Sequence, residues 1–322
     1  MIVRIALKFM AISSWDMVKQ CLLGLFVLSF SWLQAQEPVH EELNAIIKKH
    51  GMESSQVMEI ASWITDVYGP RLTGSPGLDT ATAWAVKTLE DWGMDNVHLE
   101  SWGPFGRGWE LDHFSMHMEA PGYTPIIAYP KAWSGSTEGM VEGDVIYLNA
   151  SDEAQLQKYK GKLGGQFVLL DTTRKVNEWF EAPARRYEEG DLLSMANKGM
   201  PTPRRGRGYR RSGARFGQIL WTFLEKEAPL AVVDRSYKGD LGTVFVSGAR
   251  TSDGQARDEG RQVVPQVTMS IEHYNRIFRM LKKGLAVKLS MDLQARYTNP
   301  DLTEHNIIAE IPGTDLADEV VM

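Results

Sequence analysis

The chain has 322 residues, 43% apolar and 24% charged, with 41 acidic against 35 basic side chains and a formal net charge of -6 at pH 7. That composition excludes a disordered or collagenous chain, and the acidic balance excludes a dedicated nucleic-acid binder with a basic surface throughout. The length accommodates about two domains of ~100 to 200 residues each.

No charged residue falls between Gln20 and Gln36, and the apolar run from Cys21 to Phe30 has the length of a secretory h-region with Lys19 as its positive flank. Ala35 supplies a small residue for cleavage near Gln36, and the stretch is shorter than the ~20 residues of a membrane-spanning helix. Residues 1–36 are therefore expected to be a signal peptide, with Met17 a better start than Met1. The mature product is expected to be secreted or periplasmic, with no membrane attachment after cleavage. Cys21 opens the h-region, where a lipidated cysteine would have to close it. As the single cysteine, it leaves the mature chain without disulfides, thiolate metal sites or a cysteine nucleophile.

Leu43, Ile46 and Ile47 predict a short helix over 41–50, stopped by Gly51. A second helix carries Val57, Ile60, Ala61, Ile64 and Val67 on one face and breaks at Tyr68-Gly69-Pro70. Ser75 reads as the N-cap of a third, with Pro76 at its first position, running to Trp92-Gly93. The period then changes. Asn96 to Trp102 and Trp109 to Met118 read as strands, the second with Leu111, His113, Ser115 and His117 on one face.

Short apolar runs at 125–129, 140–148, 166–171, 230–234, 243–246 and 263–269 predict further strands. Helices are expected near Phe216 to Lys226 and from Ser270 to Gly284. From Leu285 to Arg296 apolar and polar residues alternate, as in a half-buried antiparallel strand. Asn306 to Ile311 is another strand, followed by the turn Pro312-Gly313-Thr314-Asp315. Asp318 to Met322 opens a further apolar run, and a chain ending inside a strand is expected to come from an interrupted reading frame.

The sequence holds no His-Glu-x-x-His, no Gly-x-Ser-x-Gly elbow and no Walker loop. Of seven histidines only His113 and His117 share a local face, and four residues along a strand set them ~13 Å apart, too far to chelate one zinc together. Arg204, Arg205, Arg207, Arg210, Arg211 and Arg215 place six cations in 12 residues of a Pro- and Gly-rich, loop-like stretch. That stretch reads either as a solvated insertion or as a patch for an acidic partner. With few aromatics to stack on bases, no nucleic-acid partner is expected.

Two segments carry a resemblance. Tyr68-Gly69-Pro70-Arg71-Leu72-Thr73-Gly74-Ser75-Pro76-Gly77, with the helix ending in Leu89-Glu90-Asp91-Trp92-Gly93, resembles the N-terminal signature of the secreted zinc exopeptidases of metallopeptidase family twenty-eight. Asn306-Ile307-Ile308-Ala309-Glu310-Ile311-Pro312-Gly313-Thr314 is similar to the strand and turn with which those enzymes re-enter their catalytic domain. The resemblance implies an α/β fold. This chain would hold the incomplete N-terminal part of a mixed-sheet peptidase domain with an inserted β-rich protease-associated domain. Residues 37–121 would be the helical and first-strand part and 122–297 the protease-associated-like domain, with an arginine-rich insertion near 172–215. Residues 298–322 would be the re-entry strand.

In such enzymes two zinc ions activate a water for hydrolysis of peptides, and their ligands begin just beyond the strand that Asp318 opens. The resemblance therefore implies no catalytic, cofactor-binding or metal residue within these 322 positions, no zinc on this chain, and an inactive fragment of an aminopeptidase or carboxypeptidase. Arg71 and Ser75 fall in the matching motif, with structural roles expected. The alternatives are a non-catalytic protease-associated module that binds proteins or peptides, and a polyanion-binding exported protein using the arginines.

Overall fold

The computed structural model describes residues 40–182, 184–199, 210–298, 302–315 and 319–321. The expected signal peptide, and Arg204, Arg205 and Arg207, lie outside the described residues. The chain divides into two compact units, Met1–Ala61 and Ser62–Met322.

The first unit contains helix α1 (Glu41–Glu53) and most of α2 (Val57–Ser62). Gly51 does not stop α1. Glycine weakens a helix by about 1 kcal/mol without breaking it, and the turn closes at Ser54, whose N–H reaches the His50 carbonyl at 3.1 Å. Leu43, Ile46 and Ile47 are exposed along α1.

In the second unit the helix widens into a π-turn, Trp63–Val67, closed by the Tyr68 N–H on the Trp63 carbonyl at 3.1 Å. Helix α3 (Pro76–Asp91) begins as the sequence predicts, with Ser75 extended and its hydroxyl accepting from the Leu78 N–H. Strand β1 (Asp95–Trp102) follows, then β2 (Gly108–Ala120), the short β3 (Thr124–Pro125) and β4 (Ala128–Pro130), and β5 (Val141–Tyr147). Helix α4 (Glu153–Leu156) continues into the 3₁₀ turn Gln157–Tyr159 and leads to β6 (Phe167–Leu169). Helices α5 (Glu189–Ala196) and α6 (Arg210–Glu227) precede β7 (Ala231–Arg235) and β8 (Gln266–Met269). Helix α7 (Ile271–Lys282), β9 (Lys288–Thr298) and β10 (Glu304–Glu310) complete the order.

The fold is mixed α/β. Eight strands form one sheet in the order β3-β2-β9-β5-β6-β7-β8-β4, with β5, β6, β7 and β8 parallel and the flanking pairs antiparallel. The parallel strands are covered on both faces, which is why β6 is buried throughout. Phe167, Leu169 and Val233 join Tyr274 and Ile277 of α7 in one cluster, whereas Val168 and Val232 join Trp221 and Leu224 of α6 in the other. Each fully buried aliphatic side chain contributes about 1.5 to 3 kcal/mol. β1 and β10 form a separate antiparallel two-stranded sheet.

Several expectations need correction. Leu111 does not share a face with His113, Ser115 and His117. The β2–β9 register shifts between Leu111 and His113, so the extra residue Asp112 changes the parity of the strand, and Leu111 packs on the core side with Phe114, Met116 and Met118. Thr243 to Val246 is not a strand. Its donors are taken locally, Thr243 N–H by the Asp240 carbonyl at 3.2 Å and Phe245 N–H by Ser236 Oγ at 2.9 Å. The expected run 125–129 is split between β3 and β4. Arg210, Arg211 and Arg215 are not in a loop. They belong to the first turns of α6, which Phe216, Ile219, Leu220, Phe223 and Leu224 anchor at helical spacing and which arginine, a good helix former, extends. Helix α5 carries exposed Leu192, Leu193 and Met195 without a buried stripe, which leaves no period for the sequence to show.

Candidate functional site

The motif Tyr68–Gly77 packs against the start of β2 and the end of β9. The π-turn leaves the Ile64 carbonyl free of an intrahelical partner, and the Arg71 guanidinium donates to it. Arg71 thus caps a helix end, and Ser75 caps the beginning of the next. Gly74 adopts φ +79°, and a Cβ there would lie 2.8 Å from the Gly108 Cα. Thr298 Oγ1 donates to the Gly74 carbonyl at 2.7 Å, tying the motif to the last residue of β9. At Gly77 a Cβ would lie 2.5 Å from the Pro70 carbonyl oxygen, so the turn is drawn closed by a second close approach.

Between this turn and the sheet lies a groove of about 440 Å³, walled by Pro70, Leu72, Trp109, Tyr129, Trp133 and Val246. Trp109 is almost fully buried and donates through Nε1 to the Ser134 carbonyl at 2.9 Å, while Trp133 Nε1 donates to the Arg107 carbonyl at 2.8 Å. The Arg107 guanidinium sits over the Tyr297 ring, 3.7 Å from its centroid, and that of Arg257 over Phe105 at 4.3 Å. Burial pushes the Tyr297 phenol up, against the pull of Arg107. Aromatic walls with hydrogen-bonded indoles can hold an apolar side chain, and Ser75, Glu110 and Ser247 add polar groups to the lining.

A second polar constellation sits at the carboxyl ends of β6 and β7. Lys131, 1% exposed, pairs with Asp234. Asp171 lies 3.7 Å from Arg235 Nε, and burial, with the nearby Asp234, raises its carboxyl above the ordinary value of 3.8 despite the opposing pull of Arg235. The Tyr274 hydroxyl donates to the Asp171 carbonyl at 2.8 Å and accepts from the Asp171 N–H at 2.9 Å. Its own phenol is pushed well up by burial. Arg174 is held by Asn275 and pairs with Asp240 at 2.9 Å. These charges are matched within the protein, as in a framework that fixes the strand ends.

Sequence reasoning missed the Lys131–Asp234 pair. Its one signal was a charged residue ending the apolar run Ala231-Val232-Val233, which marks the end of a parallel strand but names no partner.

His113 and His117 go to different partners. His113 Nε2 lies 3.8 Å from Asp292 Oδ2, and His117 stacks on Tyr123 with ring centroids 5.5 Å apart. His273 accepts from the Ile127 N–H at 2.9 Å, and burial lowers its pKa below 6.5. Among the described residues no group of three or more His, Cys, Asp and Glu side chains is placed to hold a metal. The donor set described here does not fit a zinc centre. Among the same residues no helix is long and apolar enough to cross a membrane.

No family model matches the chain. In sequence it is similar to carboxypeptidase Q of Pongo abelii, 24% identical over 276 residues, and of Mus musculus, 23% identical over 279. Each match covers 85% of this chain and 49% of the relative. In fold it is similar to a Peptidase M28 precursor from Shewanella amazonensis SB2B, with a TM-score of 0.54 and 21% identity over 87% of this chain and 55% of that one. The chain spans about half the length of the curated relatives it matches.

Proposed function

We propose that this chain, a relative of carboxypeptidase Q with the fold of an M28 peptidase, supplies the N-terminal half of an exported zinc-dependent exopeptidase. The half described here forms the scaffold, and the groups that hold two zinc ions and cleave peptides come from sequence beyond it. The 322-residue chain is then inactive alone. One observation carries the reading: β1 pairs with β10, joining Asn96 to Glu310 across 214 residues, while the intervening chain builds a separate eight-stranded sheet. Such a pairing supports an insertion into an interrupted sheet. We take the insertion as the protease-associated domain expected over 122–297, moving its start from 122 back to Gly108 because β2 (Gly108–Ala120), expected in the peptidase part, pairs with β9 along its length.

The test begins with the coding DNA beyond the Met322 codon. An in-frame or singly shifted continuation bearing a His-x-Asp segment is expected, and the extended product should hydrolyse dipeptides in a chelator-sensitive manner. The 322-residue chain should do neither this nor bind zinc stoichiometrically in equilibrium dialysis. Chelator-sensitive turnover by the short chain would overturn the division of labour. A genuine stop with no ligand-bearing sequence downstream would defeat the peptidase reading for this product. A non-catalytic peptide-binding module would then remain, favoured by the aromatic groove of Trp109, Tyr129 and Trp133.

A further inference from the structure

A larger groove, of about 750 Å³, runs along α6 where that helix faces α4 and the 3₁₀ turn. Arg215, Ile219, Thr222, Phe223 and Lys226 line it at three- and four-residue spacing, so one stripe of the helix forms a wall. The same helix buries Trp221 and Leu224 in the core beneath. Leu156 and Lys160 contribute from the other side.

The charge here is out of keeping with a chain of net charge -6. Lys160, Arg215 and Lys226 line the groove, and Lys158 and Lys162 flank Lys160; all five are exposed, and none makes an ion pair among the described residues. Of the two carboxylates that line the groove, Glu227 is occupied by the Gly161 N–H at 2.8 Å, and Glu153 sits in the first turn of α4. Exposed cations without an ion pair among the described residues thus border a partly apolar floor.

We infer that this groove binds an acidic peptide segment of a partner protein, one whose carboxylates alternate with apolar side chains. The cations take the carboxylates, and Ile219 and Phe223 take the apolar residues between them. A uniform polyanion fits less well. Glu153 and Glu227 would repel it, and the apolar floor would stay uncovered. From Arg215 to Lys226 the helix rises ~16 Å, the length of an extended peptide of about five residues. None of these residues belongs to the Tyr68–Gly77 turn or to the β1–β10 pair, so the inference stands independently of the peptidase reading.

The test is fluorescence anisotropy of the full chain with a labelled Glu-Leu-Glu-Leu-Glu peptide, its Glu-Gly-Glu-Gly-Glu counterpart and a heparin fragment. The leucine peptide should bind at least ~10-fold more tightly than the glycine one. The Lys160→Glu/Arg215→Glu/Lys226→Glu variant should lose at least ~10-fold in affinity with an unchanged melting temperature. Thr222→Glu, a single carboxylate midway along the groove, should weaken binding and serves if the triple variant does not fold. No binding of the leucine peptide, equal binding of the two peptides, or indifference to Thr222→Glu would each overturn the inference. So would a heparin fragment that binds more tightly than the leucine peptide, which would assign the groove to polyanions.

Discussion

The backbones of Gly74 and Gly108 cross so closely that a Cβ on Gly108 would fall onto the Gly74 carbonyl, and one on Gly74 would lie 2.8 Å from the Gly108 Cα. Neither strand nor turn can retreat. Gly108 opens β2 in register with Thr298, whose hydroxyl is bonded to that same Gly74 carbonyl. Gly108→Ala is expected to destabilise the chain by about 2 kcal/mol or more in urea unfolding. Gly122→Ala, with nothing within 4 Å of its would-be Cβ, should be close to neutral. Equal stability of the two variants would contradict the crossing.

The Lys131–Asp234 pair lends itself to a double-mutant cycle. Removing one partner strands a buried charge, so Asp234→Leu alone should cost about 3 to 5 kcal/mol. Lys131→Met/Asp234→Leu together should recover much of that loss. If the double variant is no better than the single, the pair is not what the cost reports.

Asp171 makes a prediction in pH. Its folded pKa is raised above 3.8, so the native state binds a proton more tightly than the unfolded one, and stability falls as pH rises from 3.8 through the raised value. Asp171→Asn removes this dependence. The variant should gain stability over the parent at pH 7, and the gain should vanish below pH 3.8. A gain confined to acid would reverse the assigned direction.

Tyr274→Phe deletes one hydroxyl that both donates to and accepts from the Asp171 backbone. A loss of about 1 to 3 kcal/mol is expected, with the acidic dependence of Asp171 retained. Thermal melts across pH 4 to 8 measure both.

The cap at Ser75 contributes less. Ser75→Ala should cost about 1 kcal/mol in urea unfolding, because the side-chain oxygen that accepts from the Leu78 N–H is lost.

Where a local pattern decided the structure, the sequence was legible. Leu289, Met291 and Leu293 alternate because β9 presents one face to the core, and Ser75-Pro76 starts a helix with groups adjacent in the chain. The faces of β2 were not legible, because a single extra residue, Asp112, reverses the parity without altering the composition. The order of the parallel strands was hidden too: runs as short as Phe167–Leu169 carry burial but no partner. The segment Tyr68–Gly77 was recognisable as a motif, whereas the reason for Gly74 lies in contacts with Gly108 and Thr298, far away in sequence.

The pairing of Gly108 with Thr298 also has a consequence for how the chain reaches its folded state. β1 leaves the ribosome with 214 residues separating Asn96 from its partner Glu310, a wait of roughly 10 to 40 s at ~5 to 20 residues per second. A search over a flexible loop of that size would be slow. Once β2 and β9 have zipped together, however, both ends of the intervening chain emerge side by side, and only short connectors separate β10 from β1. Completion of the large sheet therefore shortens the effective loop, so β1–β10 pairing should be the last and fastest step, gated by the step before it.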